Sequence, residues 1–254
     1  MSILCASVPA LANALIEWKE NEELKTVGII GGIGPESTIE YYRLIISTYR
    51  QRKQDGSYPQ VIINSIDLKR MLDLIAAESL PEAAAYLLEE VRKLSRAGAD
   101  FAALSSNTPH IVFDYLSRES PIPLISIVEA TCQSAKAQGL KRVGLFGTRF
   151  TMQGRFYAEV FNRAGIALVQ PAPDEQAYIH DKYMNELVNG IFLPETREHL
   201  LAIAVRLKAR EAIEGLILGG TELPLILRET EYEGIAFLDT SRLHVEQIVA
   251  RLLS

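Results

Sequence analysis

The stretch LSSNTPH, residues 104–110, gathers hydroxyl, amide and imidazole groups directly after an apolar run, FAAL. Its candidates for acid–base chemistry are Ser106 and His110, while Asn107 and Thr108 supply hydrogen-bonding groups for a ligand. A serine hydroxyl is a weak acid and needs an adjacent base before it can react. The stretch therefore predicts a hydrogen-bonding site more directly than it predicts a reaction.

Three more polar motifs follow apolar runs in the same way: GGIGPES (31–37), GTRFTM (147–152) and GGTELP (219–224). Each contains Gly, Ser or Thr and is expected to lead into a helix. The free N–H groups at the start of a helix bind carboxylates and phosphates well. These motifs add further candidate site residues: Gly32, Thr148, Gly220, Thr221 and Glu222.

Each motif also has a structural explanation. A glycine-rich turn such as GGIGP often serves only tight packing, and it does not match the GxGxxG dinucleotide motif. His110 follows Pro109 near a helix start, where a structural hydrogen bond explains a histidine as well as catalysis does. Glu222 is also explained as a first-turn acid stabilised by a helix dipole. Four motifs in symmetric positions nevertheless favour one shared ligand cleft.

Between the motifs, short β-branched runs alternate with helical stretches, a pattern typical of α/β units on a parallel sheet. Proline suits the first turn of a helix, so one is predicted from Pro35 to Arg50. A second helix is predicted from Pro81 to Ala97, where Gly98 favours a stop. Strands are predicted at KTVGII (25–30), VIINSI (61–66), DFAALS (100–105) and PLISIV (123–128).

The second half of the chain repeats the pattern of the first. KTVGIIGG (25–32) matches KRVGLFGT (141–148), and DFAALSSNT (100–108) matches EGLILGGTE (214–222). Two matches in the same order, at nearly equal offsets, indicate a duplication. We therefore predict an α/β fold of two pseudo-twofold-related lobes, each a mainly parallel sheet flanked by helices. A ligand cleft is expected between the lobes, at the carboxyl ends of the strands.

The predicted organisation has three parts. They are an N-terminal extension (1–24), a first lobe (25–122 together with 234–254) and a second lobe (123–233).

Composition narrows the range of partners. The net charge is −6 and the basic residues form no stripe, so no nucleic-acid partner is predicted. No apolar run reaches the about 18 residues that span a bilayer, so no membrane partner is predicted. The two cysteines, Cys5 and Cys132, suggest neither a disulfide framework nor a metal site, which fits a reducing cytoplasm.

Five segments together resemble the aspartate/glutamate racemase family. They are VGIIGGIGPEST, SSNTPH, LFGTRFTM, DEQAYIHDKYMNELVNGIF and ILGGTELPLI, in that order, and the resemblance covers residues 25–254. It implies an isomerase that needs no PLP or other cofactor and binds a small amino acid or carboxylate between its lobes. It also implies a homodimer.

The two cysteines that the resemblance implies for catalysis are absent from this chain. In the family, one cysteine from each lobe transfers a proton on either face of the substrate Cα, a task that suits thiols because their pKa is about 8.5. The first of these cysteines precedes Asn-Thr and the second precedes Thr-Glu. In this chain those positions hold Ser106 and Gly220. Racemisation by two thiols is therefore not expected.

Other family groups are retained. The residues that the resemblance assigns to the substrate's α-carboxylate and amine are Asn107, Thr108, Thr148, Thr221 and Glu222. Aspartate-selective members carry a basic residue after the glycine of the E-L-x-x-G motif, whereas Ile191 follows Gly190 here. Lys69 and Arg70, which follow the strand VIINSI, are candidates for pairing with an acidic side chain.

Three functions remain open from the sequence. The first is an enzyme that acts at Cα through Ser106 with His110 or Glu222, where a base on one face suits an isomerase or lyase better than a racemase. The second is a catalytically inactive homologue that binds an amino acid or carboxylate or has a regulatory role. The third is a racemase with altered or residual activity.

Overall fold

A computed structural model of the chain describes residues 25–254. The predicted N-terminal extension, including Cys5, lies outside the described residues. Across residues 25–254, no helix is both long enough and apolar enough to cross a membrane.

Four strands form the first sheet: β1 (Thr26–Gly31), β2 (Gln60–Ser65), β3 (Phe101–Leu104) and β4 (Leu124–Ile125). They run parallel in the order β2-β1-β3-β4. The central strands β1 and β3 are almost wholly buried, as expected where helices cover both faces of a parallel sheet. The helices between these strands are α1 (Pro35–Lys53), α2 (Leu68–Ala76), α3 (Leu80–Arg96) and α4 (Phe113–Glu119), with a 3₁₀ turn at Thr108–Val112.

Five strands form the second sheet: β5 (Arg142–Gly147), β6 (Ala167–Val169), β7 (Gly215–Gly219), β8 (Glu231–Tyr232) and β9 (Ile235–Asp239). Their order is β6-β5-β7-β9-β8, and all pairs are parallel except the β8–β9 hairpin. The remaining helices are α5 (Ile127–Ala137), α6 (Arg149–Gln153), α7 (Arg155–Arg163), α8 (Pro173–Asn185), α9 (Pro194–Glu211), α10 (Leu223–Ile226) and α11 (Thr240–Leu252), with a 3₁₀ turn at Leu187–Asn189.

The predicted pair of α/β lobes is confirmed. The two segments that match at the start of each half form β1 and β5, and each lies between two parallel neighbours. The second matching pair forms β3 and β7, which pair with β1 and β5 respectively. The polar motifs that follow these four strands therefore all emerge at the carboxyl ends of parallel sheets.

One predicted strand is too long. PLISIV was expected to be extended over residues 123–128, but β4 covers only Leu124–Ile125. Ser126 instead caps helix α5, because its Oγ accepts a hydrogen bond from the Glu129 N–H at 3.2 Å. A serine that satisfies a free helix N–H starts the helix at once, and the β-branched residues after it become helical.

The chain crosses between the lobes at positions other than the predicted boundaries. By strand pairing, β4 belongs to the first sheet and β9 to the second, whereas the boundaries at residues 123 and 234 assign them the other way. Helix α11 then returns to the first lobe, where Val245, Ile248 and Val249 share a buried apolar cluster with Val27 and Ile29 of β1. The crossings thus follow β4 and β9.

Candidate active site

The strand ends of the two lobes converge on a small cavity. Ser106, just after β3, and Glu222, just after β7, both line it. Its volume is about 20 Å³, which is room for about one water molecule. The polar side chains that line it are Ser106, Thr108, Thr148, Tyr183 and Glu222.

Glu222 is the most constrained group of the cavity. It is 1% exposed, and three hydroxyls bind its carboxylate. Ser37 donates to Oε1 at 2.5 Å, Thr221 donates to Oε2 at 3.0 Å, and Tyr183 also donates to Oε2. Ser37 lies in the first turn of α1, so this carboxylate connects the first lobe to the second. Burying a carboxylate without a cation is unfavourable, and the hydroxyl donors offset only part of that cost.

Tyr183 occupies the space of a side chain at position 220. A Cβ atom built on Gly220 would lie 2.3 Å from Cε2 of Tyr183 and 2.9 Å from its hydroxyl oxygen. Gly220 does not have a positive φ, so the aromatic ring, and not the backbone conformation, excludes a side chain there. Burial and the Glu222 charge hold the pKa of the Tyr183 phenol well above its ordinary value. The phenol therefore stays protonated and acts as a hydrogen-bond donor.

Three threonine hydroxyls join the lobes beside the cavity. Thr108 Oγ1 lies 3.1 Å from Thr148 Oγ1 and 3.4 Å from Thr151 Oγ1. Thr148 also caps helix α6, since it accepts a hydrogen bond from the Thr151 N–H at 3.2 Å. The structure thus brings the motif at 105–110 against the motif at 147–152, as the predicted cleft requires.

Asn107 lies behind the cavity and does not line it. Its Oδ1 accepts a hydrogen bond from the Tyr157 hydroxyl at 2.6 Å, and its Nδ2 donates to Thr240 Oγ1 at 3.1 Å. Thr240 in turn donates to the carbonyl of Leu218 in β7 at 2.8 Å. The amide therefore fixes the end of β3 against the second lobe.

Ser106 faces the cavity without a base. Its side chain is 7% exposed, and within residues 25–254 its hydroxyl forms no hydrogen bond, although its carbonyl accepts one from His110. A hydroxyl in that state is not activated for proton transfer.

His110 supports the backbone of the site. Ile127 N–H donates to its Nε2 at 3.2 Å, so Nδ1 carries the proton and donates to the Ser106 carbonyl at 3.1 Å. Burial, with a smaller contribution from His244, lowers the pKa of His110 to about 3. Both ring nitrogens are thus bonded to backbone groups, and the structure does not bring the imidazole to the cavity lining.

The two predicted cations also lie away from the cavity. Lys69 is exposed and its Nζ lies 2.6 Å from Asp73 of the same helix. The Arg70 guanidinium carbon lies 4.4 Å from the ring centroid of Tyr86. Neither side chain lines the cavity, so the structure does not place them with Ser106 and Glu222.

Gly32 and Thr221 support the site from nearby. Gly32 has a φ of 78° and donates its N–H to Thr38 Oγ1 at 2.8 Å. A Cβ there would lie 2.3 Å from the Ile66 carbonyl oxygen, so this glycine permits a tight turn. The Thr221 hydroxyl lies 2.6 Å from that of Ser37, and thus completes the hydroxyl cluster around Glu222.

Cys132 has no place in the site. It is buried in α5, its Sγ lies 3.9 Å from the Val160 carbonyl oxygen, and burial raises the pKa of its thiol. Within the described part of the chain, no group of three His, Cys, Asp or Glu side chains could hold a metal ion.

Two residues of the site, Tyr183 and Ser37, are not among those predicted from the sequence. Both lie in segments quoted for the family resemblance, DEQAYIHDKYMNELVNGIF and VGIIGGIGPEST. No spacing along the chain could have placed residue 183 against residue 220, because the contact depends on how α8 packs against the second sheet.

Known proteins resemble this chain over most of its length. The family model described as Asp/Glu/Hydantoin racemase matches residues 30–248. The broad specificity amino-acid racemase RacX of Bacillus subtilis is 26% identical over 235 residues, which cover 90% of this chain and 98% of that protein. The crystal structure of an aspartate racemase homologue from Pyrococcus horikoshii has 32% identity and a TM-score of 0.77, covering 91% of this chain and 100% of its own. Picrophilus torridus aspartate racemase shares the fold, with 21% identity, a TM-score of 0.70 and coverages of 90% and 94%.

The contact between Gly220 and Tyr183 predicts a strong coupling between the two positions. Gly220→Ala should lower the free energy of unfolding by about 1–3 kcal/mol, since an added methyl forces the tyrosine ring to move. In a Tyr183→Leu background the same change should cost less than about 1 kcal/mol. Urea unfolding of the four proteins measures the coupling. Tyr178→Leu, on the same helix, is the matched control, and equal costs in both leucine backgrounds would contradict the contact.

The buried histidines predict acid sensitivity. Burial lowers the pKa of His110 to about 3 and that of His244 to about 4, whereas an unfolded histidine titrates at about 6.5. Below pH of about 6.5 the unfolded chain binds more protons, so stability should fall by up to about 1.4 kcal/mol per pH unit for each histidine. Urea unfolding between about pH 7.5 and pH 4.5 should show a shallower fall for His244→Gln. The exposed His199 provides the control variant, His199→Gln. If the free energy of unfolding falls equally with pH in the native chain and in both variants, His244 is not a cause of the acid sensitivity.

Proposed function

Because this chain belongs to the Asp/Glu/Hydantoin racemase family, we propose that it binds a small amino acid between its lobes and exchanges a proton at that molecule's Cα. Membership of the family supports an amino-acid racemase type of function. The observation that carries the proposal is the buried Glu222 carboxylate. It lies at the cavity between the lobes, held by hydroxyls but by no cation within residues 25–254.

An amino acid supplies what this carboxylate lacks. Its α-ammonium is a cation with three N–H donors, and pairing with Glu222 offsets the cost of burying the negative charge. The hydroxyls of Thr108 and Thr148, on the same cavity, are available to the α-carboxylate. A cavity of about 20 Å³ is too small for an amino acid, so binding requires the cavity to widen.

Tyr183 and Glu222 form the pair that can move a proton. A proton leaving Cα is accepted by the Tyr183 oxygen while the Tyr183 hydroxyl proton passes to Glu222, so the phenol remains neutral. The raised pKa of that phenol disfavours a free phenolate, which is why the adjacent carboxylate is needed. Charge that develops at Cα spreads into the substrate carboxylate, where Thr108 and Thr148 donate hydrogen bonds. Because Glu222 also pairs with the ammonium in this proposal, we expect slow exchange.

This chemistry acts on one face of the substrate. The Tyr183 side chain comes from the second lobe, whereas Ser106 of the first lobe has no base beside it. A proton removed by Tyr183 therefore returns from the same side, and Cα exchanges hydrogen with retention of configuration. Such a base suits an isomerase or lyase reaction better than racemisation, which needs a proton donor on each face.

A second function is favoured by one observation. The Ser106 hydroxyl has no activating partner within residues 25–254. The same cavity therefore also suits a catalytically inactive protein that binds an amino acid or has a regulatory role. Such a protein keeps the ammonium and carboxylate sites and loses the proton exchange. The two functions differ in whether a bound amino acid exchanges its Cα hydrogen.

Three proposals concern the setting of this activity. The family resemblance supports a homodimer and catalysis without PLP or another cofactor, and the two cysteines of the sequence support a cytoplasmic location. Light scattering of the purified protein tests the first proposal, and a monomer at working concentration would overturn it. Microscopy of a tagged chain tests the second, and undiminished exchange after dialysis against a carbonyl-trapping reagent tests the third.

We predict that Tyr183→Phe and Glu222→Gln separate proton transfer from binding. Tyr183→Phe should keep amino-acid binding within about threefold and lower deuterium exchange at Cα by about 100-fold or more, the usual contribution of an acid–base group. Glu222→Gln should weaken binding by about tenfold or more, because the counter-charge of the ammonium is lost. Proton NMR in D₂O, with L and D amino acids separately, measures exchange, and calorimetry measures binding.

Tyr178→Phe is the matched control for the tyrosine variant, since Tyr178 lies on the same helix and stacks on the exposed His199. Exchange with inversion at the same rate would contradict a mechanism on one face. If the native chain binds an amino acid but exchanges no Cα hydrogen, the second function, binding without catalysis, is established. If no amino acid binds, both functions are refuted.

A further inference from the structure

Apart from its polar groups, the cavity is lined by apolar side chains from both lobes. Leu68, Met71 and Leu72 belong to α2 of the first lobe, while Met184 and Val188 belong to the end of α8 and the 3₁₀ turn after it. All except Met71 are only half-buried, so part of each side chain remains available to a ligand.

The cations of α2 are not on this apolar face. Residues at spacings of three and four share one side of a helix, and the apolar residues of α2 follow that spacing. Lys69 has an 81% exposed side chain that pairs with Asp73 at 2.6 Å, and Arg70 packs on Tyr86. These contacts hold both positive charges away from the cavity.

Among the residues that line the cavity, all within the described part of the chain, Glu222 is the one charged side chain. An acidic ligand side chain would find no cation there and would add a second carboxylate to a desolvated site. Both effects oppose binding. An apolar ligand side chain would instead displace water from the leucine, methionine and valine side chains of the wall, which favours binding.

We infer that the amino acid bound at this site carries an uncharged apolar side chain, aliphatic or thioether, and not an acidic one. The inference rests on the proposed function, because it takes Glu222 and the threonines as the groups that hold the α-ammonium and the α-carboxylate. The side chain then extends between α2 and the end of α8. Lys69 and Arg70 take no part in selection.

The test is a calorimetric comparison of leucine, methionine and valine with aspartate and glutamate, each as the L and the D form. We expect the apolar group to bind at least about tenfold more tightly than the acidic group. Equal binding, or tighter binding of aspartate and glutamate, would overturn the inferred side-chain class and leave the proposed function intact. Failure of every amino acid to bind would overturn the proposed function itself.

A charge introduced into the apolar wall gives a second test. Met184→Arg exchanges one long flexible side chain for another and places a cation at the cavity, so the ratio of leucine to glutamate affinity should fall at least about tenfold. Val205→Arg is the matched control, because Val205 is an exposed apolar residue on α9. An unchanged ratio in a folded Met184→Arg protein would count against the inferred wall, as would an equal change in the control.

Discussion

One buried carboxylate, that of Glu222, determines much of the architecture at the junction of the two lobes. It is 1% exposed and bonded to hydroxyls from both lobes. Because an unpaired buried charge is unfavourable, the surrounding chain must bring donors to it and leave it room. Gly34 satisfies the second requirement: a Cβ there would lie 2.1 Å from Glu222 Oε1, and its φ of 85° also favours glycine. The glycine-rich turn after β1 is therefore shaped by a residue of the opposite lobe.

The side chains around Glu222 differ from those of a site with one thiol in each lobe. Two strand-end thiols, one in each lobe, would act on opposite faces of the substrate. Here the first-lobe position holds Ser106, whose hydroxyl has no base, and the second holds Gly220, whose missing side chain leaves room for Tyr183. The Tyr183 hydroxyl in turn donates to Glu222, so these two side chains form one hydrogen-bonded pair in the second lobe. Two neighbouring side chains support this strand end: His110 donates to the Ser106 carbonyl, and Asn107 fixes β3 to the second lobe.

Much of this could be predicted from local patterns. The lobes follow from hydrophobic runs and their repetition, because strand and helix periodicity is set by neighbours in the chain. Convergence of the motifs around Thr108, Thr148 and Glu222 follows from the rule that parallel strands end at one edge of a sheet. The predicted strand is wrong at one point where a single side chain decides: Ser126 starts a helix inside it. Lys69 lies on an exposed helix face and does not line the cavity, and the sequence pattern alone did not indicate that.

The sequence by itself determined the two-lobe α/β fold, the family resemblance, the presence of Ser106 and Gly220 in place of cysteines at the strand ends, and the hydroxyls beside them. Those properties depend on residue type and on order along the chain. Only the tertiary structure decided that Tyr183 fills the space beside Gly220, that Ser37 reaches Glu222 and that the cavity wall is apolar. These contacts join residues far apart in the chain, through the positions that α1, α2 and α8 take around the cavity. Packing between distant elements depends on volume and distance in three dimensions, which linear spacing does not encode.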